Sequence, residues 1–467
     1  MKKLLLLSLF FLKVSVSNGQ FGLYNTRTLY DAFENPSQKA FYPDSSRKYA
    51  FNFLIPTINI HANVSGDAQK PVKTLIYKGG LDASGLSLGS GELNKITVSE
   101  NSYLAMFRIF KTVKFNREIG VAWQIRSDTY GEITNETAAI FDNYKLFTQR
   151  FYDNPFNNNA FSLSYHQFSI TYREDYNKRL GLGLKLSYLS GIEHTKFKID
   201  SSRLGINGET DAYNLSLHGK FRSNISWDQA DKKVLYPGFK NPGLALSLSA
   251  NYKLRNGWYI LGNLKDLGFI RWNKNDGYTY TFDDVITINS ASAPDADDRL
   301  GSEIQKLFDR GSSEHAYTTL INGKAEFLVN KDLGAYQPNL LISKNLFYKG
   351  GDIALINRLQ HRAMNFSLST AYNLNNFFQL GGQFMIKSPN TEFFIGSDQL
   401  LKSYYTTKGI LTSNQDIGKG NTAASVYFGF ALKFGRIMER QQNANFIPGL
   451  DSEVRPSFFQ RLFSKKK

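Results

Sequence analysis

The run from Ala424 to Arg436, Ala-Ser-Val-Tyr-Phe-Gly-Phe-Ala-Leu-Lys-Phe-Gly-Arg, limits what this chain can become more than any other stretch. Side chains along a strand alternate sides with a period of two. Val426, Phe428, Phe430, Leu432 and Phe434 therefore share a wholly apolar face, and Tyr427, Gly429, Ala431, Lys433 and Gly435 share the other. Many strands of this kind follow one another without enough helical pattern to cover them. An all-β fold, a transmembrane antiparallel β-barrel with its apolar face on lipid, satisfies both faces and leaves no open edge.

The other strands repeat the pattern. Ile119, Val121, Trp123 and Ile125 oppose Gly120, Ala122, Gln124 and Arg126; Leu180, Leu182, Leu184, Leu186 and Tyr188 oppose Gly181, Gly183, Lys185 and Ser187. Tyr213, Leu215, Leu217 and Phe221 oppose Asn214, Ser216, His218 and Lys220, and Phe366, Leu368 and Tyr372 oppose Asn365, Ser367 and Ser369. A soluble sandwich also alternates. Strands of about 9 to 13 residues, however, suit a tilted membrane span better than the usual five or six of a soluble sheet. Tight connections at Asn177-Lys178, Asn256-Gly257 and Asn375-Asn376 contrast with long ones over Ser127–Asn159 and Asn289–Ser313, as in outer-membrane barrels. Those long loops carry short amphipathic helices, Thr137–Phe151 and Asp298–Asp309. The count is about 14 strands, with 12 or 16 open because residues 224–242 blur strand direction.

Composition narrows the function. Among 467 residues, 37 Phe and 26 Tyr suit aromatic girdles at two lipid interfaces, while a mean hydropathy of -0.35 excludes a helical membrane protein. The net charge of +16 is spread along strands and turns rather than gathered in a nucleic-acid patch. Without cysteine there is no disulfide, thiolate site or lipidated N-terminal cysteine. Six scattered histidines lack metal-ligand spacing, and no phosphate loop, nucleophile elbow or zinc motif is present, so no enzyme, cofactor or metal is expected. His218 is placed on the lumen side. Asp295, Asp297, Asp298 and Glu303 have the composition of a calcium loop, but acids at a helix start are the simpler account.

Residues 1–19, with Lys2 and Lys3, the apolar run Leu4–Leu12 and Ser17-Asn18-Gly19, have the layout of a signal peptide. Gln20–Lys48 is turn-rich. Its Asn35-Pro36-Ser37 resembles the Asn-Pro-Ala turn of fatty-acid-transporter and type IX secretion barrels of Bacteroidota, with Ser37 in place of Ala; that resemblance implies a lumen plug. Residues 49–436 form the barrel. A phase change at Pro56, between Phe51-Phe53-Ile55 and Ile58-Ile60-Ala62, marks an opening in the wall or a register correction. A second slip falls near His166-Gln167.

Asp266-Leu267-Gly268-Phe269-Ile270-Arg271-Trp272 reads as a turn, at Asp266 and Gly268, leading into a strand. With Phe393–Asp398, it resembles a Bacteroidota outer-membrane barrel family known only as a domain of unknown function. The resemblance implies fold and location and carries no activity. Tyr427-x-Gly429-x-x-Leu432-x-Phe434 resembles the signal read by the barrel-assembly machinery, which it implies as a partner in biogenesis. The chain departs from that pattern by continuing through 437–467, a basic, aromatic tail placed in the periplasm, where it lies on lipid, docks on an envelope partner or is simply a disordered end. The expected function is a transporter or channel for small or hydrophobic solutes in the outer membrane of a Gram-negative bacterium. The alternative is a non-catalytic subunit of a secretion or surface-assembly complex.

Overall fold

The computed structural model describes residues 20–41, 47–112, 117–224, 237–274, 277–309, 313–375, 377–412, 414, 422–437 and 459. The expected signal peptide and nearly all of the tail lie outside them.

The strands are β1 (Arg47–Phe51), β2 (Ile58–Ser65), β3 (Leu93–Thr112), β4 (Arg117–Thr134), β5 (Phe151–Asp153), β6 (Asn159–Asp175) and β7 (Leu180–Asn207). Then come β8 (Ala212–Ser223), β9 (Pro242–Lys253), β10 (Trp258–Trp272), β11 (Tyr278–Asn289), β12 (Ser313–Glu314), β13 (Tyr317–Leu320) and β14 (Lys324–Lys331). The chain finishes with β15 (Tyr336–Asn345), β16 (Gly351–His361), β17 (Met364–Asn373), β18 (Phe377–Lys387), β19 (Thr391–Ser397) and β20 (Thr422–Ile437). Helices are α1 (Leu29–Glu34), α2 (Gln69–Lys78), α3 (Asn135–Asp142), α4 (Ala296–Asp309) and α5 (Leu400–Thr412).

The wall is a closed 14-strand antiparallel barrel. β1 and β2 together act as its first strand, β13 and β14 together as another, and β20 closes it by pairing with β19 on one side and with β1 and β2 on the other. Its outward side chains are large and exposed, among them Ile170, Leu186, Leu244, Phe327, Leu368, Phe378 and Val426. In water each would forgo about 1.5–3 kcal/mol of burial, and a belt this continuous belongs against lipid. The fold is thus of the outer-membrane barrel type.

The interruption at Pro56 is stitched shut. The side-chain amide of Asn52 donates to the carbonyls of Ile55 and Leu104, its Oδ1 accepts the Met106 N–H at 3.0 Å, and pairing resumes with Thr57 N–H on the Tyr103 carbonyl at 2.9 Å. Between the two readings of the phase change, the structure has the register correction. The second slip is not found at His166-Gln167, where β6 runs on against β4 without a shift; the irregularity nearby belongs to β7, in which Ile192 is an extra residue opposite Ser164 and Tyr165.

Two sequence expectations change. Tyr213–Arg222, expected in the wall, lies in β8, which leaves the barrel. β7 is 28 residues long; its lower half pairs with β9 and its upper half with β8, which in turn pairs with β11. The resulting sheet projects beyond the wall, and its apolar face packs on α3, α4 and the Tyr144–Phe156 loop. His218 is therefore exposed beside Asp283, away from the lumen. Asp266-Leu267-Gly268 is likewise no turn: it sits inside β10 at a bulge opposite β9.

Candidate functional site

Residues 20–41 fill the lumen. A 3-10 turn at Phe21–Leu23 leads to α1, whose Thr28 cap accepts the Asp31 N–H at 3.1 Å, and the chain then turns at Asn35-Pro36. Phe21, Leu23, Leu29, Phe33 and Phe41 are buried against the inner wall. Glycines on the wall give the segment room. A Cβ at Gly183 would stand 2.1 Å from the Pro36 carbonyl carbon, and one at Gly120 would stand 2.8 Å from the Phe33 ring.

Wall side chains hold the plug largely by its backbone. Arg358 donates to the carbonyls of Gly22, Tyr24 and Asn25 at 3.2, 2.6 and 2.8 Å, and Lys387 donates to those of Thr26 and Arg27. In the opposite sense Glu392 accepts the Leu29 N–H at 2.6 Å and Asp398 accepts the Gln20 and Phe21 N–H groups. Arg108 reaches the Ala32 carbonyl at 2.9 Å, while Arg173 and Asn251 reach that of Ser37. Bases on carbonyls and acids on N–H groups satisfy a buried irregular backbone that has no sheet partner.

The plug's own charge is paired. Glu34 forms an ion pair with Lys265 and accepts from Tyr103 at 2.6 Å and Asn101 at 3.0 Å. Burial pushes its carboxyl up, but Lys265, Arg126 and Lys185 outweigh that and hold it well below the usual range. The β10 bulge sets the geometry: Asp266 takes φ 51°, so Lys265 and Asp266 both point inward. Asp266 pairs with Arg126, lies 3.3 Å from Lys185, and accepts from Gln167 at 3.0 Å. Unpaired, each of these buried charges would cost several kcal/mol.

The remaining singled-out residues divide by face. Leu267 and Gly268 are half-buried in β10, Phe269 is exposed outward, and Ile270 and Trp272 are fully buried inward. Tyr427 and Gly429 face inward, with Phe394 filling the space a Gly429 side chain would need, while Leu432 and Phe434 face out. Arg358 and Glu392 were not singled out by sequence, and Lys387 and Asp398 were noted only as part of a strand's polar face and of the Phe393–Asp398 string. Their signal was a charge on, or just past, the lumen phase of an otherwise small, polar row.

Where β7 passes from β9 to β8 the wall forks. Trp272, His194, Tyr317 and Phe161 pack across the fork, Trp272 stacked on Tyr317 and Phe161 edge-on to His194; His194 Nδ1 lies 3.0 Å from the Tyr317 hydroxyl, and Gly191 leaves room for the indole. Above it is a chamber of about 260 Å³. Ile140 and Phe141 of α3, Leu300, Ile304 and Leu307 of α4, Phe197 and Ile199 of β7, Leu215, Leu217 and Phe221 of β8 and Phe282 of β11 line it, with Glu132 and Glu193 the charged residues. Thr129, Gly131 and Ile133 of β4 also line it, and they continue the outward phase of Val121. The chamber is thus on the outer side of the wall, separated from the lumen by β4, β6 and the aromatic stack.

No curated protein matches the sequence. Among solved structures, the toluene transporter TodX of P. putida is 7% identical with a TM-score of 0.41, over 91% of this chain and 96% of that one. A TodX deletion mutant, described as a monoaromatic hydrocarbon channel, is 7% identical with a TM-score of 0.44, over 90% and 96%. The sequence model of a family of unknown function, DUF5723, matches residues 13–398, and the chain belongs to that family.

Proposed function

We propose that this protein is a transporter in the outer membrane of a Gram-negative bacterium, with its long loops outward, and that it captures a small apolar solute at the loop end. The observation that carries the reading is the chamber. A space of about 260 Å³ lined almost wholly by aliphatic and phenyl groups gives water few partners and suits an uncharged apolar molecule. Because the chamber lies on the outer side of the wall, passage requires the solute to cross the aromatic residues at the fork and the plug to shift in the filled lumen beyond them. The test is saturable binding of an uncharged naphthylamine fluorophore to the barrel in nanodiscs. Thr195→Phe, which fills the chamber, should weaken binding about tenfold or more; a wild-type signal no larger than that of empty nanodiscs would overturn the reading.

The charge-matched seating of the plug favours a second reading, a non-conducting structural subunit. Stoichiometric partners on gentle extraction, together with no solute flux into liposomes, would select it.

A further inference from the structure

Asp398 lies between β19 and α5 and is fully buried. Its carboxylate accepts the Gln20 N–H and, at 3.0 Å, the Phe21 N–H, while its own N–H donates to Ser425 Oγ at 3.2 Å. Three other buried carboxylates around the lumen face a cation, Glu34 on Lys265, Asp266 on Arg126 and Lys185, and Glu118 on Arg108, while Asp31 and Asp352 accept from the neutral Arg27 N–H and Asn35 amide and from the Asn373 amide. Asp398 has no ion pair to a lysine, arginine or histidine side chain among the described residues. With peptide donors alone, burial pushes its carboxyl up to about 7. A carboxylate this deep calls for a positive charge.

The sequence supplies one. Ser17 and Gly19 put small residues at the third and first positions before Gln20, behind a basic and then apolar leader, which is the pattern a signal peptidase cuts. We propose that the mature chain begins at Gln20 and that its α-ammonium seats on Asp398 as a buried ion pair, latching the plug in the lumen. Hydrolysis adds water across the Gly19–Gln20 bond; Gly19 leaves as a carboxylate, and the Gln20 nitrogen takes up protons to become an ammonium. The nitrogen already resting on Asp398 thereby gains the charge without moving. Gln20 is held for this by the Tyr30 hydroxyl, which donates to its side-chain Oε1. A chain still joined to its leader offers one neutral N–H at this atom, so the latch closes only after processing.

The test uses the full chain purified from its outer membrane. N-terminal sequencing and intact mass should show Gln20 first, with a free amine. An amine acylating reagent at neutral pH should label that amine about tenfold more slowly in the folded barrel than after unfolding. Asp398→Asn should abolish most of the protection and Asp398→Glu should keep most of it, with heat-modifiable gel mobility reporting that each barrel is folded. A different first residue, a cyclised uncharged Gln20, or equal labelling of folded and unfolded wild type would overturn the proposal. So would unchanged protection in a folded Asp398→Asn barrel. If that variant does not fold, the wild-type mass and labelling still decide.

Discussion

Around the plug, Glu34, Asp266 and Glu118 meet Lys265, Arg126, Lys185 and Arg108 in a space closed to water, whereas above Gly191 the same sheet packs Phe197, Leu217, Phe282 and Leu300 with hardly a charge. The lower region is held by directional contacts that stabilise only when every partner is in place. The upper one is held by apolar area, which tolerates rearrangement and leaves a void. A barrel built this way has a seat that fits one segment in one pose, beside an apolar cap whose packing leaves room to rearrange.

Asp266→Ala should be the most damaging change, because it strands Arg126 and Lys185. A loss of about 3–5 kcal/mol is expected in chemical unfolding of the lipid-reconstituted barrel, and a loss below about 1 kcal/mol would show that the network holds little. Phe282→Ala should cost about 3 kcal/mol but act locally, raising protease nicking of the loops while the wall keeps its heat-modifiable mobility. Nicking and wall unfolding that rise together would erase the distinction between the two regions.

Gly183→Ala presses a methyl into the Pro36 backbone and should loosen the plug by about 1–3 kcal/mol, read as faster proteolysis within residues 20–41 and greater bilayer conductance. The smallest effect concerns pH. Glu34 is held below its ordinary range, so its contribution is complete above about pH 4.5 and is lost only as the pH falls through its lowered value. Plug protection that fell between pH 8 and 6 would need another group.

Alternation made both faces of the wall legible, and turn chemistry at Asn177-Lys178 and Asn256-Gly257 marked two hairpins. It was blind to occupancy. Gln124 read as part of a small, polar second face, yet it is buried and donates to Asn101, which in turn donates to Glu34 of the plug. It was blind as well to which apolar faces meet lipid. Tyr213, Leu215 and Leu217 alternate as Leu244, Leu246 and Leu248 do, yet the first set is sealed under α3 and α4. The Asp266 bulge was misread because Asp-x-Gly commonly turns a chain, while here the sheet on both sides holds the strand straight. α5 escaped notice because its apolar stripe is weak, whereas α2 has a clear stripe through Val72 and Leu75 that went unread.

Four of the partners that grip residues 20–41, Arg358, Lys387, Glu392 and Asp398, lie beyond β15, and β20 then seals the ring. Residues 20–41 find Arg108, Arg173, Asn251 and Lys265 earlier, and their seat is complete only with these later strands. A barrel not yet closed through β20 therefore lacks the two bases and two carboxylates that fix the leading half of this segment, and full closure and full seating coincide.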